Sequence, residues 1–122
     1  FKVGNYFQAM DVYLDLTNDK PENYYLTYQL AQCYMNARDY KQAEAKFRTV
    51  IEKASSEYPL AQYYYAMMIK MQGRYDEAKT AFGNFSSKTQ SDDNKKFVDK
   101  ANREIEACDF AKNLVANPNT FQ

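Results

Sequence analysis

The sequence predicts an all-α fold: a right-handed α-solenoid of antiparallel helix hairpins, closed by a long C-terminal capping helix. Three observations predict it. The composition favours helices, with only three Gly and three Pro among 122 residues and with Ala, Gln, Glu, Lys, Met and Leu plentiful. One pattern of aromatic and small residues recurs three times, at spacings of 34 and then 35 residues. Within each occurrence the apolar residues step by three and four, the period of one helix face.

The recurring segments are Gly4-Asn5-Tyr6-Phe7-Gln8-Ala9, Arg38-Asp39-Tyr40-Lys41-Gln42-Ala43 and Gly73-Arg74-Tyr75-Asp76-Glu77-Ala78. A ring follows four residues after each Ala, at Tyr13, Phe47 and Phe82, and an apolar residue follows three later, at Leu16, Val50 and Phe85. The Ala is small where a neighbouring helix must come close. Residues 1–18 read as the second helix of a partial repeat, capped by Asn5 with Gln8, its first helix expected upstream of Phe1. Residues 21–55 read as a full repeat. Pro21 is placed in the first turn of its first helix, Leu30, Ala31 and Tyr34 face the core, and Asp39 with Gln42 caps its second helix. Residues 58–87 read as the next full repeat. Pro59 opens it, Tyr65, Ala66 and Ile69 repeat the core positions, and Gly73 suits the left-handed turn between its helices. Arg74 replaces the capping residue, so this cap is weaker.

Residues 86–94 are polar and loop-like. Ser91 then offers a helix cap, with Asp92 and Asp93 near the positive end of the dipole. Phe97, Ala101, Ile105, Cys108 and Ala111, continued by Leu114 and Val115, make the apolar stripe of a closing helix over 91–116. Asn117-Pro118 ends it, and 118–122 read as the start of a linker. The whole of 1–117 is one domain. The chain has no initiator Met and opens inside the repeat pattern, so it reads as a piece of a longer polypeptide.

The same composition excludes several functions. Sixteen Lys and Arg balance sixteen Asp and Glu, whereas a partner held through phosphates calls for a basic surface. No apolar run approaches the ~20 residues of a membrane helix. With no His, the commonest general base and metal ligand is missing. There is no glycine-rich phosphate loop and no hydrolase motif, and Asp92 with Asp93 is better explained as a pair of helix-start acids than as a catalytic dyad. No enzyme activity, cofactor or metal site is expected. Cys33 and Cys108 read as small buried hydrophobes ahead of a redox pair or metal ligands, and whether they meet is left open.

The tyrosines carry the functional signal. Twelve Tyr and eight Phe with no Trp is an unusual set, and so many hydroxyls require half-exposed surfaces. In a stacked array the first helices line the inner wall. Tyr25, Tyr28, Gln32 and Met35 then point into a groove, and Leu60, Tyr63, Met67 and Lys70 do so in the next repeat, with Tyr64 beside them. A wall of Tyr and Met suits a protein or peptide segment held by apolar contact and hydroxyl hydrogen bonds. The expected partner-groove residues are Tyr25, Tyr28, Gln32, Met35, Leu60, Tyr63, Tyr64 and Met67. Packing of the same rings against the last helix or an adjoining domain is an equal alternative.

Leu30, Ala31, Tyr34, Ala43 and Phe47, and then Tyr65, Ala66, Ile69, Ala78 and Phe82, resemble the tetratricopeptide repeat (TPR) family, whose pattern is W-x2-L-G-x2-Y, A-x3-F and P over 34 residues. The resemblance covers about residues 1–88. Thr27 and Gln62 stand where the family prefers Trp, and Ser55 stands where it has its closing Pro. Family members that clamp a terminal carboxylate use Lys, Arg and Asn, but Tyr28, Gln32, Leu60 and Tyr64 occupy those places here. A near-neutral groove likewise does not suit a nucleic-acid reader.

The run Tyr58 to Tyr75, with Glu104 to Lys112 and Asn117-Pro118, is similar to the N-terminal repeat region of Bacteroidetes OmpA-family envelope proteins. These continue into a β-propeller and a peptidoglycan-binding domain, and PorE-like members serve type IX secretion and gliding. The resemblance implies a periplasmic, outer-membrane-associated interaction scaffold, anchored to peptidoglycan through a downstream domain. The alternatives are a structural spacer packed on its own downstream domains and an accessory domain of a larger enzyme.

Overall fold

The structure is a computed structural model that describes residues 3–89 and 92–116. Among them are six α-helices: α1 (Val3–Asp19), α2 (Tyr24–Asn36), α3 (Tyr40–Ala54), α4 (Leu60–Met71), α5 (Tyr75–Lys88) and α6 (Lys95–Ala116). A single 3₁₀ turn, Asp92–Asn94, leads into α6. No strand occurs among the described residues. Each helix packs on the next in chain order, and α6 also touches α4. This is a solenoid of antiparallel hairpins capped by a long helix. No described helix is long and apolar enough to cross a membrane.

The helix starts follow local chemistry. Asn23 caps α2 by accepting from the Leu26 amide, and Asp39 caps α3 by accepting from the Gln42 amide at 3.3 Å. Arg74 precedes α5 with no side-chain cap, and Asp76 and Glu77 in the first turn favour the dipole instead. Two start signals differ from the sequence reading, and a third is not among the described residues. Asn5 lies inside α1, which already begins at Val3. Pro21 sits in the turn ahead of Asn23, because the Asn side chain rather than the Pro ring sets the first turn of α2. Ser91, like Asn117 to Gln122, lies outside the described residues.

The turns between paired helices need a left-handed residue. Gly73 supplies it with φ 83° at no steric cost. Arg38 takes the same place in the preceding repeat with φ 64°, where a side chain crowds the backbone.

The recurring positions form the core. Ala31, Ala66 and Ala101 are fully buried, as are Ala43, Ala78, Phe47, Phe82 and Val50. One cluster joins α2, α3 and α4 around Phe47, and a second joins α4, α5 and α6 around Phe82 and Phe85. The family's Trp position is filled differently in each repeat. Thr27 is buried, while Gln62 donates to the Ala81 carbonyl at 3.0 Å and ties α4 to α5. On α1 the repeat positions have less cover, with Ala9 and Tyr13 half-buried and Leu16 37% exposed.

Polar ties join successive hairpins. Glu44 is buried on α3 and accepts from Arg48 at 2.9 Å, from Gln72 at 2.7 Å and from Arg74. Lys70 pairs with Glu104, while Lys79–Asp109 and Lys112–Asp76 fasten α5 to α6.

Candidate functional site

The first helices of successive hairpins, α2, α4 and α6, share one wall. A hollow of about 370 Å³ opens on it. Met35 at the end of α2 and Tyr40 at the start of α3 close one side. Tyr63, Tyr64, Met67, Met68 and Met71 of α4 form the floor, and Phe97 and Lys100 of α6 the far side. Met residues fall on α4 at spacings of three and four, so one face delivers several thioethers to one place. Thioether side chains are unbranched and polarisable, and repack around differing shapes.

Of the eight expected groove residues, this hollow brings together Met35, Tyr63, Tyr64 and Met67. It does not include Tyr25, Tyr28, Gln32 or Leu60. Tyr25 is 53% exposed at the first turn of α2. Tyr28 stacks on Tyr58 at 4.9 Å and meets Phe47 edge-on at 6.0 Å, so its ring packs between repeats. Leu60 packs against the α4–α6 core cluster. Lys70 was expected to face the groove and instead pairs with Glu104.

Tyr63 reaches the hollow with an edge only. It is 8% exposed and sits among Phe82, Phe85 and Phe97, with centroids 5.8, 5.6 and 5.4 Å away. The ring belongs to the core, because α6 stacks on α4 and covers this part of the strip, the alternative in which the last helix packs on these rings. The residues that sequence reasoning missed are Tyr40, Met68, Met71, Phe97 and Lys100. The i, i+4 pair Met67 and Met71 was a usable signal for one of them.

Burial raises the phenols around this wall. Tyr28 is pushed up to about 12 by burial, reinforced by neighbouring Tyr64 and Tyr58. Burial raises Tyr64, and burial with nearby Glu104 and Tyr64 raises Tyr63. These hydroxyls are neutral donors at physiological pH. Cys33 and Cys108 are buried free thiols on α2 and α6, both raised by burial and neither on the hollow. Among the described residues no group of His, Cys, Asp and Glu could hold a metal ion.

A second hollow of about 360 Å³ lies at the other end of the hairpins, between Ile51, Tyr58, Gln62 and Phe85. Ser55, Ser56, Lys88 and Thr89 complete its walls, so it lacks the continuous apolar lining of the first.

The family model described as tetratricopeptide repeat matches residues 28–84. Residues 28–84 are tetratricopeptide repeats. The match spans α3 and α4 whole and ends inside α5, and its hairpins are those that carry the methionine-lined wall. No curated protein and no solved structure matches the chain. The tetratricopeptide repeat fold generally indicates a non-catalytic scaffold for protein interaction.

Proposed function

We propose that this scaffold docks a segment of a partner protein in the hollow between Met35, Tyr64, Met67, Met71 and Phe97, and does so within a cell-envelope, outer-membrane-associated assembly of the type IX secretion or gliding kind. The observation that carries the docking is the convergence of four methionines and four aromatic rings from successive repeats on one open wall. A wall built on packed helices needs little ordering of its own to bind. What supports the envelope setting is the similarity of the Tyr58 to Tyr75 run to the OmpA-family repeat region. The periplasm follows from that similarity.

The experiment is site-specific photo-cross-linking in the native cell. A cross-linker replacing Met71, 51% exposed at the hollow, is compared with one replacing the exposed Glu52. A discrete adduct from position 71 and none from 52, recovered with the outer-membrane fraction, is the expected result. Equal adducts from both positions would contradict docking in the hollow. Recovery in the cytosol would contradict the envelope setting. An adduct of position 71 with another part of its own chain would favour the spacer reading, in which the hollow is covered from within.

A further inference from the structure

Resting on the docking reading above, we infer that the hollow selects a segment that sets a bulky apolar side chain beside a carboxylate, and that Lys100 is the specificity-determining residue. Among the described residues Lys100 is the one charged side chain that lines the hollow. Its ammonium stands 5.3 Å from the centroid of the Phe97 ring, which lines the same wall. The ring holds the charge at the rim through its negative face.

No carboxylate pairs with Lys100 among the described residues. The contrast with the other cations between helices is direct. Lys70 has Glu104, Lys79 has Asp109, Lys112 has Asp76, and Arg74 has Glu44 and Glu77. Glu104 follows Lys100 by one turn but is engaged by Lys70. Lys96 and Arg103 lie four before and three after Lys100 on the same face, both exposed and without an ion pair among the described residues. Asp99 is exposed next door on the chain, about 100° round the helix. Lys96, Lys100 and Arg103 therefore bring three cations to this stretch of α6 against Asp99, which neighbours Lys96 and Arg103 on the helix, although the chain as a whole is neutral.

The two parts of the site do different work. Methionine side chains accept Leu, Met or Phe with similar ease, so the floor supplies attraction with little discrimination. A lysine at the rim adds discrimination by charge and quickens encounter. An exposed pair of this kind favours an acidic segment over its neutral counterpart by up to about five-fold, and the preference fades with salt.

The test is selection of random dodecapeptides displayed on phage against the immobilised protein, with depletion on a Met67→Ala variant, its folding checked by circular dichroism, so that only binders of the hollow remain. Peptides pairing a large apolar residue with Asp or Glu are the expected enriched class. Selection on Lys100→Glu, whose side chain is exposed and whose folding is checked by circular dichroism, then shifts the pool towards Lys and Arg. Enrichment of apolar peptides with no acidic preference, or an unchanged pool on Lys100→Glu, would overturn this inference and leave docking in the hollow standing. No enrichment that depends on Met67 would overturn both.

Discussion

Replacing Tyr63 by Ala removes the ring that joins three helices. Tyr63 of α4 lies between Phe82 and Phe85 of α5 and Phe97 of α6, with Tyr64 edge-on at 5.5 Å. At 8% exposure little of it is solvated. Truncating a buried aromatic to Ala costs about 3–5 kcal/mol, through lost transfer energy and the cavity left behind. Each well-placed ring pair adds ~0.5–1.5 kcal/mol beyond area, so four such pairs put Tyr63→Ala at the upper end of that range. Against a total stability of about 5–15 kcal/mol, the variant is severely weakened. Tyr63→Phe keeps every ring contact and is expected to lose less than about 1 kcal/mol, the net worth of an ordinary hydrogen bond. Urea unfolding followed by circular dichroism measures both. Because solenoid stability is local, hydrogen exchange in Tyr63→Ala should rise in α4, α5 and α6 and much less in α2. A loss below about 1 kcal/mol for Tyr63→Ala would refute the placement of this ring in the core. The same arithmetic makes Tyr63→Ala a poor probe of docking, since lost binding would follow from lost packing.

Other outcomes follow from the same structure. Arg38→Gly should stabilise by about 0.5–1 kcal/mol, because it relieves a left-handed residue that carries a side chain; a lower midpoint in urea would contradict the strain. Glu44→Leu should stay within about 1 kcal/mol of the parent, because Arg48 and Arg74 are 51% and 36% exposed and rehydrate when the buried carboxylate is replaced. A loss of about 3 kcal/mol in the same unfolding assay would mean that the tie holds the repeats together. Tyr28 contributes stability that is full below its usual 10.0 and is lost as pH rises through about 12, since the unfolded chain gives up that proton first. Phenolate absorbance should therefore show several late-titrating tyrosines, and Tyr28→Phe should remove the one near 12; an unchanged late titration in Tyr28→Phe would contradict the burial of this ring.

The repeat period made most of the fold legible. Ala31, Ala66 and Ala101, spaced by 35, all proved fully buried, as did Phe47 and Phe82. The wall was legible in kind but not residue by residue. Tyr63, Tyr64 and Tyr65 follow one another at about 100° per residue, so three adjacent rings span core, wall and outer face, and period alone does not tell which is which. In the structure Tyr63 turns inward, Tyr64 stacks on Phe47 at 5.7 Å and Tyr65 accepts from Arg48. The spacing of Ala101 from Ala66 signals that α6 stacks on α4, but not that Phe97 and Lys100 are the side chains it brings to the wall. The left-handed Arg38 was legible only by alignment, since Gly4 and Gly73 hold the matching place in the two other segments.

Methionine-methyl NMR tests docking at this wall most directly. The chain has five methionines, and Met35, Met67, Met68 and Met71 line the hollow while Met10 lies on α1. With an acidic, Phe-containing peptide from the displayed library added to labelled protein, the methyl signals of Met35, Met67 and Met71 should move together and that of Met10 stay put. Movement of Met10 with the three others unchanged would place the docking surface elsewhere.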